Sequence, residues 1–268
     1  MILEHLEKLL RQEAENCPPN NPFRASAMGR CVRQGCFDLL GLKGEPIQPR
    51  RMLVLKGGST IHDDLLTPII REALGENWVD LAGLPDFVEI DGARIGYHPD
   101  FAFKHSEQLI YGGAQTVIGI GEIKSMADFS FNRAPKGEID HDYLCQAWVY
   151  ATATSFNPVV FIAYRKETSA MVEIIFDRNE TEKVVTQRLT GSTIELAKED
   201  PILLTEIKTP FDNSVEEYVR KRIKWLKDVR DSNLFRTPTK HDDLAFMIEH
   251  DVPGADAVED EVEKVQGV

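Results

Sequence analysis

The chain has 268 residues and a formal net charge of −13, with 42% of its residues hydrophobic and 28% charged. That is enough chain for one large core with appendages, in the balance typical of a globular protein. Its acidity excludes a protein that coats nucleic acid indiscriminately, although a local basic groove or a bound metal still allows a nucleic-acid substrate.

No apolar run approaches the roughly 18 residues of a membrane span, so no membrane partner is expected. The first ten residues are amphipathic and carry acids, unlike a secretory signal. A cytoplasmic location is therefore the default expectation (the host cytosol if the chain is virus-encoded). Cys17, Cys31, Cys36 and Cys145 form no C-x-x-C pair, which suits reduced, mostly buried thiols. Glu249 to Val268 holds seven acids and one lysine, a net of −6 that leaves −7 for the first 248 residues. This predicts one domain over 1–248 and an acidic, disordered tail over 249–268.

In chain order, Ile2, Leu3, Leu6, Leu9 and Leu10 recur at helical spacing, and Cys17-Pro-Pro ends that helix. Ser26 fits the N-cap of a second helix, with Gly41 following its end. Arg24, Arg30 and Arg33 make this segment basic. A third helix is expected to start near Lys56, with His62 in its first turn and Ile61, Leu65, Ile69 and Ala73 along its inner side. Phe87 to Ile90, then Asp91-Gly92, then Ala93 to Gly96 predict a hairpin with a type I′ turn.

Gly96-Tyr-His-Pro-Asp100 leads into Phe101-Ala-Phe, and Val117-Ile-Gly-Ile-Gly leads into Glu122-Ile-Lys124. Both read as strands, joined by a polar loop from Lys104 to Gln115. Glu122 and Lys124 are two apart, so a strand places them on one face. Asp100 on the neighbouring strand brings a second carboxylate near the first. Two converging carboxylates repel unless a cation lies between them, and oxygen ligands suit Mg²⁺ or Mn²⁺. A lysine beside such a cation orients water and offsets charge developing on a phosphate.

A partly basic loop from Ser125 to Ile139 follows, with Arg133 and Lys136. Next comes a helix over Tyr143 to Thr154, on which Gln146 and Tyr150 share a face. Val159 to Tyr164 and Ala170 to Phe176 read as two strands. A helix is expected from about Glu180 to Lys198, and another from Ser214, whose spacing to Glu217 fits a capping box. On that last helix Val215, Tyr218, Val219, Ile223, Leu226 and Val229 form an apolar stripe. Arg220, Lys221, Arg222, Lys224, Lys227 and Arg230 crowd the remaining surface.

Gly58-Ser-Thr-Ile-His62, Gly96-Tyr-His-Pro-Asp100, Gly121-Glu-Ile-Lys124 and Gln146-Ala-Trp-Val-Tyr150, in this order, resemble the PD-(D/E)XK nuclease superfamily and its RecB-type branch. The segment from Arg24 to Arg33 resembles one in CRISPR-associated and viral exonucleases of that branch. The resemblance spans roughly Phe23 to Arg165. It implies an α/β fold, a central mixed sheet flanked by helices (a restriction-endonuclease-like core over about 23–176) with helices added at both ends. It implies a Mg²⁺- or Mn²⁺-dependent deoxyribonuclease acting on single strands or duplex ends, in recombination or repair. Asp100, Glu122, His62 and the Ile123 carbonyl would hold the metal, and an imidazole ligand suits Mn²⁺ better than Mg²⁺. Lys124 would position or deprotonate the attacking water. Gln146 and Tyr150 would steady the lysine, the water or the DNA backbone, although Tyr150 also fits a core aromatic. Arg24, Ser26 and Arg33 would touch phosphates.

Some relatives build an iron–sulfur cluster from one upstream cysteine and three near the C-terminus. Cys31 matches the first and the other three are missing, so no cluster is expected. Two other readings fit the same residues: a catalytically silent DNA- or partner-binding subunit, or a site-specific endonuclease. A homo-oligomer, or a recombination or repair partner protein, is compatible with all three.

Overall fold

A computed structural model of the chain describes residues 2–17, 21–30, 35, 38–39, 47–108, 114–126, 128–133, 136, 138–166, 170–180, 182–190, 202–211 and 213–231. Arg33, Cys31, Cys36, most of the helix expected up to Gly41, and the acidic tail lie outside them.

The N-terminal helix α1 (Ile2–Asn16) turns Leu10 and Ala14 against Met52 of α2 (Pro49–Thr60). Pro49 stands at the first position of α2, where its missing N–H costs nothing. The helix therefore begins well before Lys56. It continues without a break through a π turn (Ile61–Leu66) into α3 (Thr67–Leu74), which puts His62 in mid-helix and not in a first turn. Pro68 supplies the physical reason for the π turn. It offers no N–H to the Asp64 carbonyl and its ring crowds that carbonyl, while the Thr67 N–H reaches back five residues to the His62 oxygen. The extra residue shifts the apolar stripe by one. Leu65 and Ile69 are 43% and 52% exposed, and Ile61, Leu66, Ile70 and Leu74 pack inward instead.

A short strand β1 (Trp78–Val79) precedes the hairpin β2 (Phe87–Ile90) and β3 (Ala93–Gly96), whose turn residues Asp91 and Gly92 have φ of 50° and 71°, as a type I′ turn requires. Then come β4 (Phe101–Gln108), β5 (Ala114–Met126), α4 (Asp128–Arg133), α5 (His141–Thr154), β6 (Val159–Arg165) and β7 (Met171–Phe176). The chain closes with β8 (Val184–Thr190), β9 (Ile202–Thr209) and α6 (Asn213–Asp231). Seven strands form one sheet in the order β1-β4-β5-β6-β7-β9-β8. The β5–β6 and β7–β9 pairs are parallel and the others antiparallel, so the sheet is mixed, as expected.

Three sequence-based assignments are corrected. Lys104 to Gln108 belongs to β4, not to a loop, and pairs with Ala114 to Ile118. The loop expected from Ser125 begins instead as the end of β5 and then α4, and Arg133 is tied to Glu138 and Asp140. The helix expected from Glu180 is strand β8 over Val184–Thr190. Its β-branched residues favour extended backbone, and β9 offers it a full antiparallel edge.

Helix α5 and α6 cover one face of the sheet, while α2, the π turn and α3 cover the other, where Leu66, Phe101, Ile123 and Tyr164 form a separate cluster. Phe101 and Phe103 of β4 lie directly over Gly121 and Gly119 of β5, and a Cβ at Gly121 would stand 2.0 Å from the Phe101 ring. Aromatic rings covering cross-strand glycines pin register. Here they fix Asp100, at the head of β4, beside Glu122.

In α6 the expected stripe is buried at Val215, Tyr218, Val219, Ile223 and Leu226. Arg222 is a correction: it is 1% exposed, and its guanidinium donates to the Arg30 carbonyl. Much of the outer basic face is already paired. Arg220 binds Glu216 and Asp91, Lys227 donates to the Asp91 carbonyl at 2.7 Å, and Arg230 binds Asp231.

Candidate active site

Strand alternation sends Glu122 and Lys124 toward α5, and sends Ile123 toward α3. Lys124 Nζ donates to Glu122 Oε1 at 2.7 Å. Gln146 and Tyr150, one turn apart on α5, converge on the same carboxylate. Gln146 Nε2 donates to Glu122 Oε1 at 3.0 Å and to the Tyr150 hydroxyl at 2.7 Å; that hydroxyl lies 2.8 Å from Glu122 Oε2. The His98 carbonyl is 3.2 Å from the same hydroxyl. Gln146 and Tyr150 are 3% and 2% exposed, so what they steady is Glu122, and Tyr150 is a core aromatic as well. Burial, then the Glu122 charge, holds the Tyr150 phenol well above its usual pKa. It stays protonated and serves as a fixed donor.

Asp100 is anchored from the backbone. Its N–H donates to the Gly121 carbonyl at 3.0 Å, and its Oδ2 accepts from the Ile123 N–H at 2.6 Å. Burial, then repulsion from Glu122, raises its carboxyl to about 6, against the Ile123 hydrogen bond and His62. His62 arrives from the π turn on the opposite side, with Nε2 2.9 Å from Asp100 Oδ1. Burial alone would lower the His62 pKa. The Asp63 hydrogen bond at Nδ1 and the Asp100 charge outweigh it, and the net shift is upward.

Whether a divalent cation suits these residues is tested by His62 itself. Its Nε2 is shielded from solvent and has no aligned hydrogen-bond partner, despite its ion-pair distance to Asp100. With the Nδ1 proton given to Asp63, Nε2 is a bare lone pair facing a carboxylate, and two facing acceptors require a cation or a proton between them. The donor set (imidazole, two carboxylates and a backbone carbonyl) fits Mn²⁺ or Mg²⁺. Among the described residues, no three His, Cys, Asp or Glu side chains already stand at metal-holding spacing, because Glu122 is drawn to Lys124, Gln146 and Tyr150.

The site is open to solvent on one side: the side chains of Asp100, Lys124 and His62 are 16%, 20% and 28% exposed. The Lys124 ammonium also sits over the rings of Tyr143 and Phe161, at 5.6 and 5.7 Å. Burial, then Asp140, Asp142 and Glu122, pushes the Tyr143 phenol up to about 12, so it remains neutral.

Arg24 is extended and forms a bridge with Gly96, whose N–H donates to the Phe23 carbonyl at 2.9 Å. Gly96 precedes Asp100 by four residues, which places the Arg24 backbone within about 14 Å of the Asp100 backbone. The Arg24 Nε is buried without a partner, and burial followed by Arg30 lowers the guanidinium pKa, against Asp38. Ser26 lies inside a 3₁₀ turn (Ala25–Ala27) that Arg24 precedes, so it is not the cap of that turn. Asp63, Tyr143 and Phe161 escaped the sequence reading. Only Asp63, adjacent to His62, left a local signal.

The site thus belongs to an α/β chain that gathers two carboxylates, a lysine and a histidine at one end of a mixed sheet. No protein-family model matches the chain, and no curated protein matches it. Among solved structures, an alkaline exonuclease (LHK-Exo) from Laribacter hongkongensis aligns over 78% of this chain and 93% of its own, at 12% identity and a TM-score of 0.36. A score that low assigns neither an activity nor a residue to this chain. No helix among the described residues is long and apolar enough to cross a membrane.

Proposed function

We propose that this chain is a Mg²⁺- or Mn²⁺-dependent DNA nuclease, an exonuclease acting on single strands or DNA ends. The observation that carries the reading is the convergence of Asp100, Glu122 and Lys124 at the junction of β4 and β5, with His62 facing Asp100 from the π turn. Asp100, Glu122, His62 and the Ile123 carbonyl would hold the cation. Bound there, the cation supplies Lewis-acid polarisation of a phosphate oxygen and lowers the pKa of a bound water.

The chain's own residues do the rest. Gln146 and Tyr150 hold Glu122 in one orientation through a network in which both Gln146 N–H groups are used. Lys124, fixed against Glu122 with its open side toward solvent, donates to the attacking water or to a phosphate oxygen as negative charge builds there. The Ile123 N–H keeps Asp100 ionised and aimed, against the repulsion from Glu122. Asp63 fixes the His62 tautomer, leaving Nε2 as the ligand atom.

The test is hydrolysis of labelled linear and circular, single- and double-stranded DNA with Mn²⁺, Mg²⁺ or EDTA. The expected result is metal-dependent shortening of linear substrates from their ends, with closed circles spared. Cleavage of closed circles at fixed positions would make the enzyme an endonuclease. Stoichiometric binding without turnover would make it a silent subunit.

A further inference from the structure

Ser125 follows Lys124 on β5 and therefore faces the other side of the sheet, toward α2. Lys166 follows the last residue of β6, which runs parallel to β5 with Ser125 opposite Tyr164 and Met126 opposite Arg165. Both side chains thus stand at the carboxyl ends of adjacent parallel strands, the edge at which open α/β sheets receive ligands. They converge on one spot of α2. A Cβ built on Gly58 would lie 3.2 Å from Ser125 Oγ and 3.7 Å from Lys166 Nζ. Gly57, beside it, has nothing within 4 Å of its own Cβ position. Two successive glycines are poor choices for a helix interior, and here they leave α2 bare one turn before His62. Lys166 is half-buried, and among the described residues its ammonium makes no ion pair or hydrogen bond.

We propose that Ser125, Lys166 and the bared backbone surface at Gly58 form a phosphate-binding subsite, separate from the Asp100–Glu122–Lys124 centre, that grips the polynucleotide backbone next to the bond being cut. A hydroxyl donor and a compact, unpaired ammonium suit a phosphate oxygen, and a side chain at position 58 would occupy the place the phosphate needs. The subsite rests on the nuclease reading, since it supposes a polynucleotide in the neighbouring centre.

The experiment measures binding of a fluorescein-labelled single-stranded oligonucleotide to the full chain in EDTA, where nothing is cleaved. Wild type is compared with K166A, K166R, S125A and G58A over a range of salt concentrations, using oligonucleotides with a 5′-phosphate and with a 5′-hydroxyl. K166A should weaken binding about tenfold irrespective of base sequence and lower the salt slope by about one. K166R should retain the slope. G58A should weaken binding while keeping or raising Tm, which a merely structural role for Gly58 would not produce. Equal losses on both oligonucleotides identify an internal phosphodiester as the ligand, and a loss confined to the phosphorylated one identifies a terminal phosphate. If wild type binds and cleaves DNA while K166A and G58A match it in affinity and slope, the subsite is refuted and the nuclease reading stands. If wild type binds no DNA at all, both fall.

Discussion

Glu122 organises the centre residue by residue: Lys124 and Gln146 occupy one of its oxygens and Tyr150 the other. Tyr150→Phe removes the hydroxyl, leaving one Glu122 oxygen and one Gln146 N–H buried and unpaired. Unfolding in urea should show a loss of about 1–3 kcal/mol. Asp100 has the opposite effect on stability, because its partly buried carboxylate repels Glu122. Asp100→Asn should raise Tm of the metal-free protein by about 2–4 °C. The same change should abolish the Tm increase that Mn²⁺ gives wild type. A metal-free Asp100→Asn melting below wild type would show that the carboxylate is not under strain. The charged residues of this centre were legible in the sequence because each sits at a fixed spacing from a glycine. The partnership of Gln146 and Tyr150 with Glu122, rather than with lysine or DNA, was not legible, since it depends on how α5 packs against β5.

At the scale of elements, glycines and one proline set the geometry. Gly121→Ala places a methyl inside the Phe101 ring and should cost about 3 kcal/mol or more in urea unfolding, with loss of Asp100 from the site. A neutral substitution there would contradict the pinned register. The α5–α6 contact carries a pH dependence. His141 packs edge-on to Tyr218 at 4.4 Å and lies 3.3 Å from the Cys145 sulfur; burial holds its pKa below the ordinary 6.5, against Asp142 and assisted by Arg222. Below about pH 6.5 the unfolded chain takes up a proton that the folded chain refuses, so stability falls as pH drops through that value. In His141→Gln the decline between pH 7 and 5 should be shallower, measured as Tm against pH. The hairpin at Asp91-Gly92 was readable because two residues with positive φ announce themselves. The π turn was not: a period of 3.6 fitted across Ile61 to Ala73 selects the wrong stripe as soon as Pro68 forces in an extra residue. Strand β8 was missed because its partner β9 lies beyond a long intervening segment, and long-range pairing overrides local helix preference.

For the whole molecule, the mixed sheet matters because it brings two strand ends and two helices from opposite faces to one opening. The basic surface of α6, prominent in sequence, is largely turned to structural use: Arg222 points into the core, while Arg220 and Lys227 clasp the hairpin tip at Asp91. Charge-reversing Lys224, which is exposed on α6, should leave DNA affinity within about twofold of wild type. The central claim is that the carboxylates and lysine at the β4–β5 junction hydrolyse DNA with a divalent cation. It is tested most directly by time courses on a 5′- or 3′-labelled linear strand with Mn²⁺, for wild type and Lys124→Ala. Wild type should release nucleotides from an end, EDTA should stop it, and Lys124→Ala should lower the rate by at least about 100-fold with Tm unchanged. Undiminished cleavage by folded Lys124→Ala, or none by wild type with either metal, would contradict it.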